Sequence, residues 1–247
     1  NVLKYNQPGK HLFTQKKMST NVTLPEDKYF IDNPKPADLD SLISQTQDFV
    51  NHSKDEKIVL VTSGGTSVPL ESNTVSFIDN ISAGTRGASS AEHFLYKGFK
   101  VIFLHRKFSL QPFNRHFTKS KNMNFLDYFD ADGQIDAQYL EEIKSMKKKA
   151  EQYKDKLLLL PYTTVNDYLW SLRSIAILLN HNNSIFYLAA AVSDFYVPYS
   201  KLPQHKMQSR SEFQDKAEGK VNESGQLVLD LDPVPKFLRN LVETWAN

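Results

Sequence analysis

Ile58-Val-Leu-Val-Thr-Ser-Gly-Gly-Thr66 decides how this chain folds. A short apolar, β-branched run that ends in two glycines reads as a buried strand of a parallel sheet, turning at its carboxyl end. Just downstream, Phe77-Ile-Asp-Asn-Ile-Ser-Ala-Gly-Thr-Arg-Gly87 brings a second glycine pair, Gly84 and Gly87, to the start of a predicted helix from Thr85 to Lys97. Backbone amides at Gly64, at Gly65 and at that helix N-terminus can hold a phosphate or carboxylate without a cationic side chain. The two stretches together point to a site for a phosphorylated ligand.

Outward from here, strand and helix patterns alternate. The predicted helix stops at Gly98, and Lys100–His105 reads as the next strand. A β-loop-α-β unit of this kind implies a parallel sheet. Asp136 to Lys156 reads as a helix with Leu140, Ile143, Ala150 and Tyr153 inward and Lys147–Lys149 on a solvated face. Lys156–Leu160 is the third strand. Thr164-Val-Asn-Asp167 has capping-box spacing, with Asp in the Glu position, and opens a helix to about Asn180. Ile185-Phe-Tyr-Leu-Ala-Ala-Ala191, apolar on both faces, reads as a central parallel strand. Gln226–Asp232 alternates like a strand, and Pro233 to Trp245 reads as a last amphipathic helix. The expected fold class is α/β, a parallel sheet flanked by helices, which ends on a helix as though cut short at the C-terminus. Residues 1–35, polar and irregular, read as an N-terminal arm. Residues 36–247 read as a single α/β domain, opened by an amphipathic helix from Pro36 to Phe49 and carrying a surface insertion at about 107–155.

Composition narrows the function classes. A chain of 247 residues that is 40% hydrophobic can bury one substantial core. A net charge of +2 gives no footprint for nucleic acid or a membrane surface. The absence of cysteine excludes disulfides and a thiol nucleophile, and suits a reducing, cytoplasmic setting, with nuclear presence compatible. No apolar run reaches the ~18–20 residues of a membrane span.

In a dinucleotide-binding fingerprint the helix begins within a few residues of the first glycine. Here Thr66 to Ser82 intervenes, carrying Asp79, Asn80 and Ser82 toward the carboxyl edge of the sheet. Asn80 can donate its amide to a developing oxyanion and Ser82 can bind phosphate, although both types also serve as turn or cap residues. Ala189-Ala-Ala-Val-Ser-Asp-Phe195 sets small residues at a strand end, leaving room for a ligand at Ala190. It also brings Asp194 to the same edge, to bind a sugar hydroxyl, a metal or an amide, or to cap the loop. Lys206 is the cation that a loop, not a charged helix face, presents. The histidines have no paired metal spacing, and Asp127, Asp130 and Asp132 read as turn residues, so no metal ligands are assigned. His105-Arg106-Lys107 offers a rival reading, a cradle for an NADP 2′-phosphate in a Rossmann reductase.

Four ordered motifs carry a resemblance. Val61-Thr-Ser-Gly-Gly-Thr-Ser-Val-Pro-Leu-Glu71, Phe77 to Ala88, Tyr187-Leu-Ala-Ala-Ala-Val-Ser-Asp-Phe195 and His205-Lys-Met-Gln-Ser209 together resemble eukaryotic, fungal-like phosphopantothenoylcysteine synthetase. The resemblance implies a modified Rossmann-like fold and a ligase of coenzyme A biosynthesis that joins 4′-phosphopantothenate to L-cysteine through an acyl adenylate. It implies ATP in preference to CTP, magnesium, and a homodimer, with a coenzyme A-synthesising complex as a further setting. It makes Asn80 and Lys206 catalytic, and gives Gly64, Gly65, Ser82, Gly84, Gly87, Ala190, Asp194 and Phe195 to substrate and nucleotide. Two departures stand out: Ala83 replaces a second serine, and the family's Phe-Lys-Leu-Glu-Thr motif near the nucleotide does not occur. A non-catalytic phosphopantothenate-binding partner is the alternative reading.

Overall fold

The computed structural model describes residues 25–53, 56–118, 124–180, 183–205, 220–221, 224 and 226–246. Helices α1 (Pro25–Asp32) and α2 (Leu39–Asn51) lead into strand β1 (Ile58–Ser63), the hairpin strands β2 (Ser67–Pro69) and β3 (Phe77–Asp79), helix α3 (Thr85–Tyr96) and strand β4 (Lys100–Arg106). Then come α4 (Arg115–Thr118), α5 (Ala137–Gln152), β5 (Leu157–Tyr162), α6 (Val165–Leu179) and β6 (Ser184–Leu188). Short pieces close the order: β7 (Phe195–Tyr196), β8 (Lys220–Val221), β9 (Leu227–Val228), β10 (Asp232–Pro233) and α7 (Leu238–Asn240).

The main sheet has four parallel strands in the order β5-β4-β1-β6. The side chains of β1 alternate between two cores, as a period of two demands. Ile58 and Leu60 join Leu39, Leu42, Leu169, Leu172 and Ile175 from α2 and α6 on one face. Val59 and Val61 join Ala88, Ala91 and Leu95 of α3 on the other. Each fully buried Leu, Ile or Val among these contributes about 1.5–3 kcal/mol. β1 is therefore buried along its whole length, and the register sets Ser63 beside His105 and Thr62 beside Leu188. The four strands thus finish at one edge.

Several expectations change. The strand at 184–188 is an edge strand among the described residues, and its outer residues Phe186, Tyr187 and Leu188 are only half-buried. Its run of apolar residues reflects helices packed on both faces, not neighbouring strands on both sides. The segment read as an arm to residue 35 is in part core. Residues 1–24 lie outside the described residues, but α1 buries Tyr29, which is 2% exposed and lies against Phe237, with ring centroids 5.5 Å apart. Phe30 meets Trp170, Phe237 and Trp245 in the same aromatic cluster. The polar residues around Tyr29 and Phe30 mask this anchor in the sequence.

Gln226–Asp232 does not form one strand. Leu227–Val228 pairs with β8, whereas Asp232–Pro233 pairs with β7, and Lys201 holds both Asp230 and Asp232, at 3.2 and 2.9 Å. The last helix starts at Leu238, because Pro233 and Pro235 keep the preceding backbone extended. α5 has the expected stripe, but its inward residues are only half-buried. Glu92 of α3 anchors the insertion. It is 3% exposed, takes two hydrogen bonds of 2.8 Å from Arg115 and accepts the N–H of Phe113, also at 2.8 Å. No described helix is long and apolar enough to cross a membrane.

Candidate active site

The site is assembled where the strands end, and two glycines decide its shape. A Cβ on Gly65 would lie 1.6 Å from the backbone oxygen of Asn80, and one on Gly87 would lie 2.3 Å from Ser63 Oγ. No side chain fits at either place. The segment that carries Asn80 therefore rests directly on the end of β1, and α3 starts directly against Ser63. Asn80 N–H donates to Thr66 O at 3.0 Å, and Ser63 Oγ donates to Gly84 O at 3.0 Å. Gly64 and Gly84 have positive φ, 86° and 81°, and Gly84 is the N-terminal cap of α3.

All four glycines are buried, and protein atoms fill the space beside them. They pack β1, the Asn80 segment and α3 closely together, so only a residue without a side chain fits at Gly65 and Gly87. Ser82 and Asn80 remain half-buried at the same edge. Asp79 forms an ion pair with Arg106, so the segment is tied to β4 as well as β1.

On the other side of Gly65 runs the segment after β6. Gly65 and Ala191 form an isolated parallel bridge, with Ala191 N–H donating to Gly64 O at 2.8 Å and Thr66 N–H to Ala191 O at 3.2 Å. Gly65 thus has Asn80 on one flank and Ala191 on the other. Ala190 is half-buried, and Asp194 and Phe195 are exposed beyond it. The Asp194 carboxylate meets Lys236 Nζ at 3.0 Å, and its backbone oxygen accepts the N–H of Val234 at 2.9 Å. Between this segment and α6 lies a cleft of about 200 Å³ with Tyr168, Leu172, Leu188, Ser193, Asp194 and Lys236 in its lining. A larger cleft of about 420 Å³ lies between α2 and the end of β5; of the residues singled out in the sequence it is lined only by Lys107, from the rival cradle.

The sequence missed three contributors. Lys236 is a cation at the site edge hidden in a proline-flanked run. Thr62 and Thr66, both fully buried, face the segment after β6 with their hydroxyls. A polar residue at the end of an otherwise apolar strand is the signal that marks such positions. Lys206, expected to face phosphate, lies outside the described residues.

The rival NADP cradle is not assembled. His105 is 3% exposed, stacks on Phe103 and lies 2.9 Å from the backbone oxygen of Arg106. Burial pushes its pKa down, with that hydrogen bond opposing. Arg106 is occupied by Asp79. At the floor of the smaller cleft, burial pushes the Tyr168 phenol up to about 12, against the hydrogen bond from Thr62. Burial also raises the pKa of Tyr162, whose hydroxyl donates to Ser63 O at 2.7 Å.

No protein-family model matches the chain. Individual relatives do. The chain is 57% identical over 237 residues to the phosphopantothenate–cysteine ligase CAB2 of Saccharomyces cerevisiae, covering 91% of this chain and 65% of that protein. It is 36% identical to phosphopantothenate–cysteine ligase 1 of Arabidopsis thaliana, covering 93% of this chain and 72% of that protein. The human phosphopantothenate–cysteine ligase is 39% identical over 202 residues, 77% of this chain and 60% of that protein. Among solved structures, a Cab2 mutant in complex with phosphopantothenate-cysteine superimposes with a TM-score of 0.83 at 57% identity, covering 89% of this chain and 71% of that one. The chain thus spans about two thirds of the length of these relatives, and belongs to the phosphopantothenate–cysteine ligase family.

Proposed function

We propose that this chain carries the ligase site that joins 4′-phosphopantothenate to L-cysteine. The observation that carries the reading is the seating of Asn80 on Gly65, beside Ala191, in a chain 57% identical to a Cab2 mutant solved with phosphopantothenate-cysteine. The reaction runs in two steps. The pantothenate carboxylate attacks the α-phosphorus of ATP, forming the acyl adenylate and releasing pyrophosphate. The cysteine amine then attacks the acyl carbon, the amide bond forms, and AMP leaves.

The first step requires in-line placement and charge neutralisation more than a protein nucleophile. Lys206 would contribute charge, with Ser82 binding a phosphate oxygen. Among the described residues no group of three or more His, Asp or Glu side chains converges to hold a metal. Magnesium would therefore be held by the nucleotide phosphates, the usual arrangement for this ion. In the second step an oxyanion develops on the acyl oxygen, and the Asn80 amide is the donor for it. Ala190, Asp194 and Phe195 would contact the nucleotide or the pantetheine amide. ATP in preference to CTP, a homodimer and a cytoplasmic location complete the reading. Ile81 and Phe108, 92% and 93% exposed, offer apolar surface for a second copy.

The test is magnesium-dependent pyrophosphate release from ATP or CTP with 4′-phosphopantothenate, before and after cysteine is added. Sustained release with formation of phosphopantothenoylcysteine is expected. A single stoichiometric burst would mean that only activation is carried. No release from folded protein would favour a non-catalytic phosphopantothenate-binding partner.

A further inference from the structure

Thr62 is fully buried near the end of β1. Its Oγ1 accepts the backbone N–H of Ala189 at 3.1 Å and that of Ala190 at 3.2 Å. A threonine hydroxyl has two acceptor positions and one donor. With both acceptor positions filled, its O–H is left to donate, and the Tyr168 phenol is the group it interacts with. Both acceptor positions of Thr62 Oγ1 are used. Thr66 repeats the device further along: it too is fully buried, and its Oγ1 accepts the N–H of Ser193 at 2.9 Å.

These bonds take over where the sheet stops. β6 ends at Leu188, and beyond it the main-chain bonds alternate: Ala189 N–H also reaches Thr62 O at 3.2 Å and Ala191 N–H reaches Gly64 O at 2.8 Å, which leaves the Ala190 N–H to the Thr62 hydroxyl. The amides of Ala189, Ala190, Ala191 and Ser193 are thus all engaged by residues 62–66. Those amides are accordingly not the groups that a ligand meets. It meets the carbonyls and small side chains, whose direction the pinned amides set.

We infer that Thr62 is a positioning residue for the reaction: its hydroxyl, and not its bulk, aims Ala190 and the Asp194 segment at the ligand held beside Asn80. This inference rests on the ligase reading of the site. Thr62→Val keeps the shape of the side chain and removes the acceptor, whereas Thr62→Ser keeps the hydroxyl and removes a methyl group. Tyr168→Phe removes only the partner of the Thr62 O–H.

The experiment compares the three variants with the parent chain by melting temperature, by kcat and KM for 4′-phosphopantothenate, and by hydrogen exchange of the Ala189 and Ala190 amides. Folded Thr62→Val is expected to lose about 10²-fold in kcat/KM, as for a misplacement of about 1 Å, with Thr62→Ser within about threefold of the parent. Exchange at the Ala190 amide should quicken in Thr62→Val and stay slow in Thr62→Ser, while Ala189 keeps its bond to Thr62 O. Parent-like kcat/KM in Thr62→Val, or equal damage in Thr62→Ser, would overturn the inference. Should Thr62→Val fail to fold, Tyr168→Phe decides: faster exchange at the Ala190 amide supports positioning, and unchanged exchange overturns it. If the parent chain forms no product, the ligase reading fails by itself. The exchange comparison then still tests the pin, and equal rates in the Val and Ser variants overturn it.

Discussion

The backbone oxygen of Asn80 occupies the place where any side chain on Gly65 would begin. Gly65→Ala would set a Cβ 1.6 Å from that oxygen, and the obstacle is backbone, which cannot swing aside. The variant is expected to lose about 1–3 kcal/mol in urea denaturation, the range for overpacking. Its kcat should fall about 10²-fold as Asn80 is pushed from its place. Gly98→Ala is the control. Its φ is positive, 86°, unlike that of Gly65, but nothing lies within 4 Å of the added Cβ, so stability should fall through backbone strain while kcat holds.

Asn80 itself separates the two half-reactions. Asn80→Ala is expected to lower the cysteine-dependent step by about 10²–10³, the cost of one oxyanion donor, with adenylate formation much less affected. Rapid-quench analysis should then find enzyme-bound acyl adenylate accumulating. Equal loss in both half-reactions would sink the assignment.

Glu92 and Arg115 predict a pH dependence. Burial tends to raise the Glu92 pKa, but the Arg115 hydrogen bonds, the Phe113 N–H, the Arg115 charge and the His116 contact together hold it below its ordinary value of 4.5. A depressed carboxylate stabilises the fold fully above the unfolded pKa and loses that contribution as pH falls through the folded one. Acid below pH 4.5 should therefore erode stability through this group. Arg115→Met leaves a buried carboxylate short of its main partner and should cost about 3 kcal/mol at pH 7. The gap between variant and parent should narrow as the pH is lowered, which denaturant titrations at pH 7 and in acid would check.

The cap of α6 gives a cleaner stability test. Thr164 Oγ1 accepts the N–H of Asp167 at 3.0 Å, and the Asp167 carboxylate accepts the N–H of Thr164 at 2.9 Å. Thr164→Ala should cost about 1 kcal/mol in urea denaturation, and leave the KM for 4′-phosphopantothenate unchanged.

How much of this was legible depended on whether the signal was local. The β1 run, the helix stop at Gly98 and the Thr164–Asp167 box act within a few residues, and each lies where the sequence put it. The ligase family was legible from four motifs in order. Partnerships between distant segments were not. Tyr29 and Phe30 look like an aromatic pair in a polar stretch until Phe237 and Tyr196 close around Tyr29. The close packing of Gly65 on Asn80 and of Gly87 on Ser63 joins segments far apart in the chain, and no local pattern marks it. Thr62 passed unremarked because its two amide partners come from beyond β6.

The aromatic cluster sets an order of assembly. Pairing of β1 with β4 closes a short loop, but Tyr29 and Phe30 must find Phe237 and Trp245 across nearly the whole described chain. The entropy of closing a loop rises with its length and is lost before the contacts repay it. The sheet should therefore form first and the first helix dock last, after α6 has presented Trp170. A chain released before that docking would carry a formed sheet and a loose final helix. Loss of that docking, as in Tyr29→Ala, should therefore loosen the segment from Val234 to Trp245 first, and through Val234 and Lys236 the hold on Asp194.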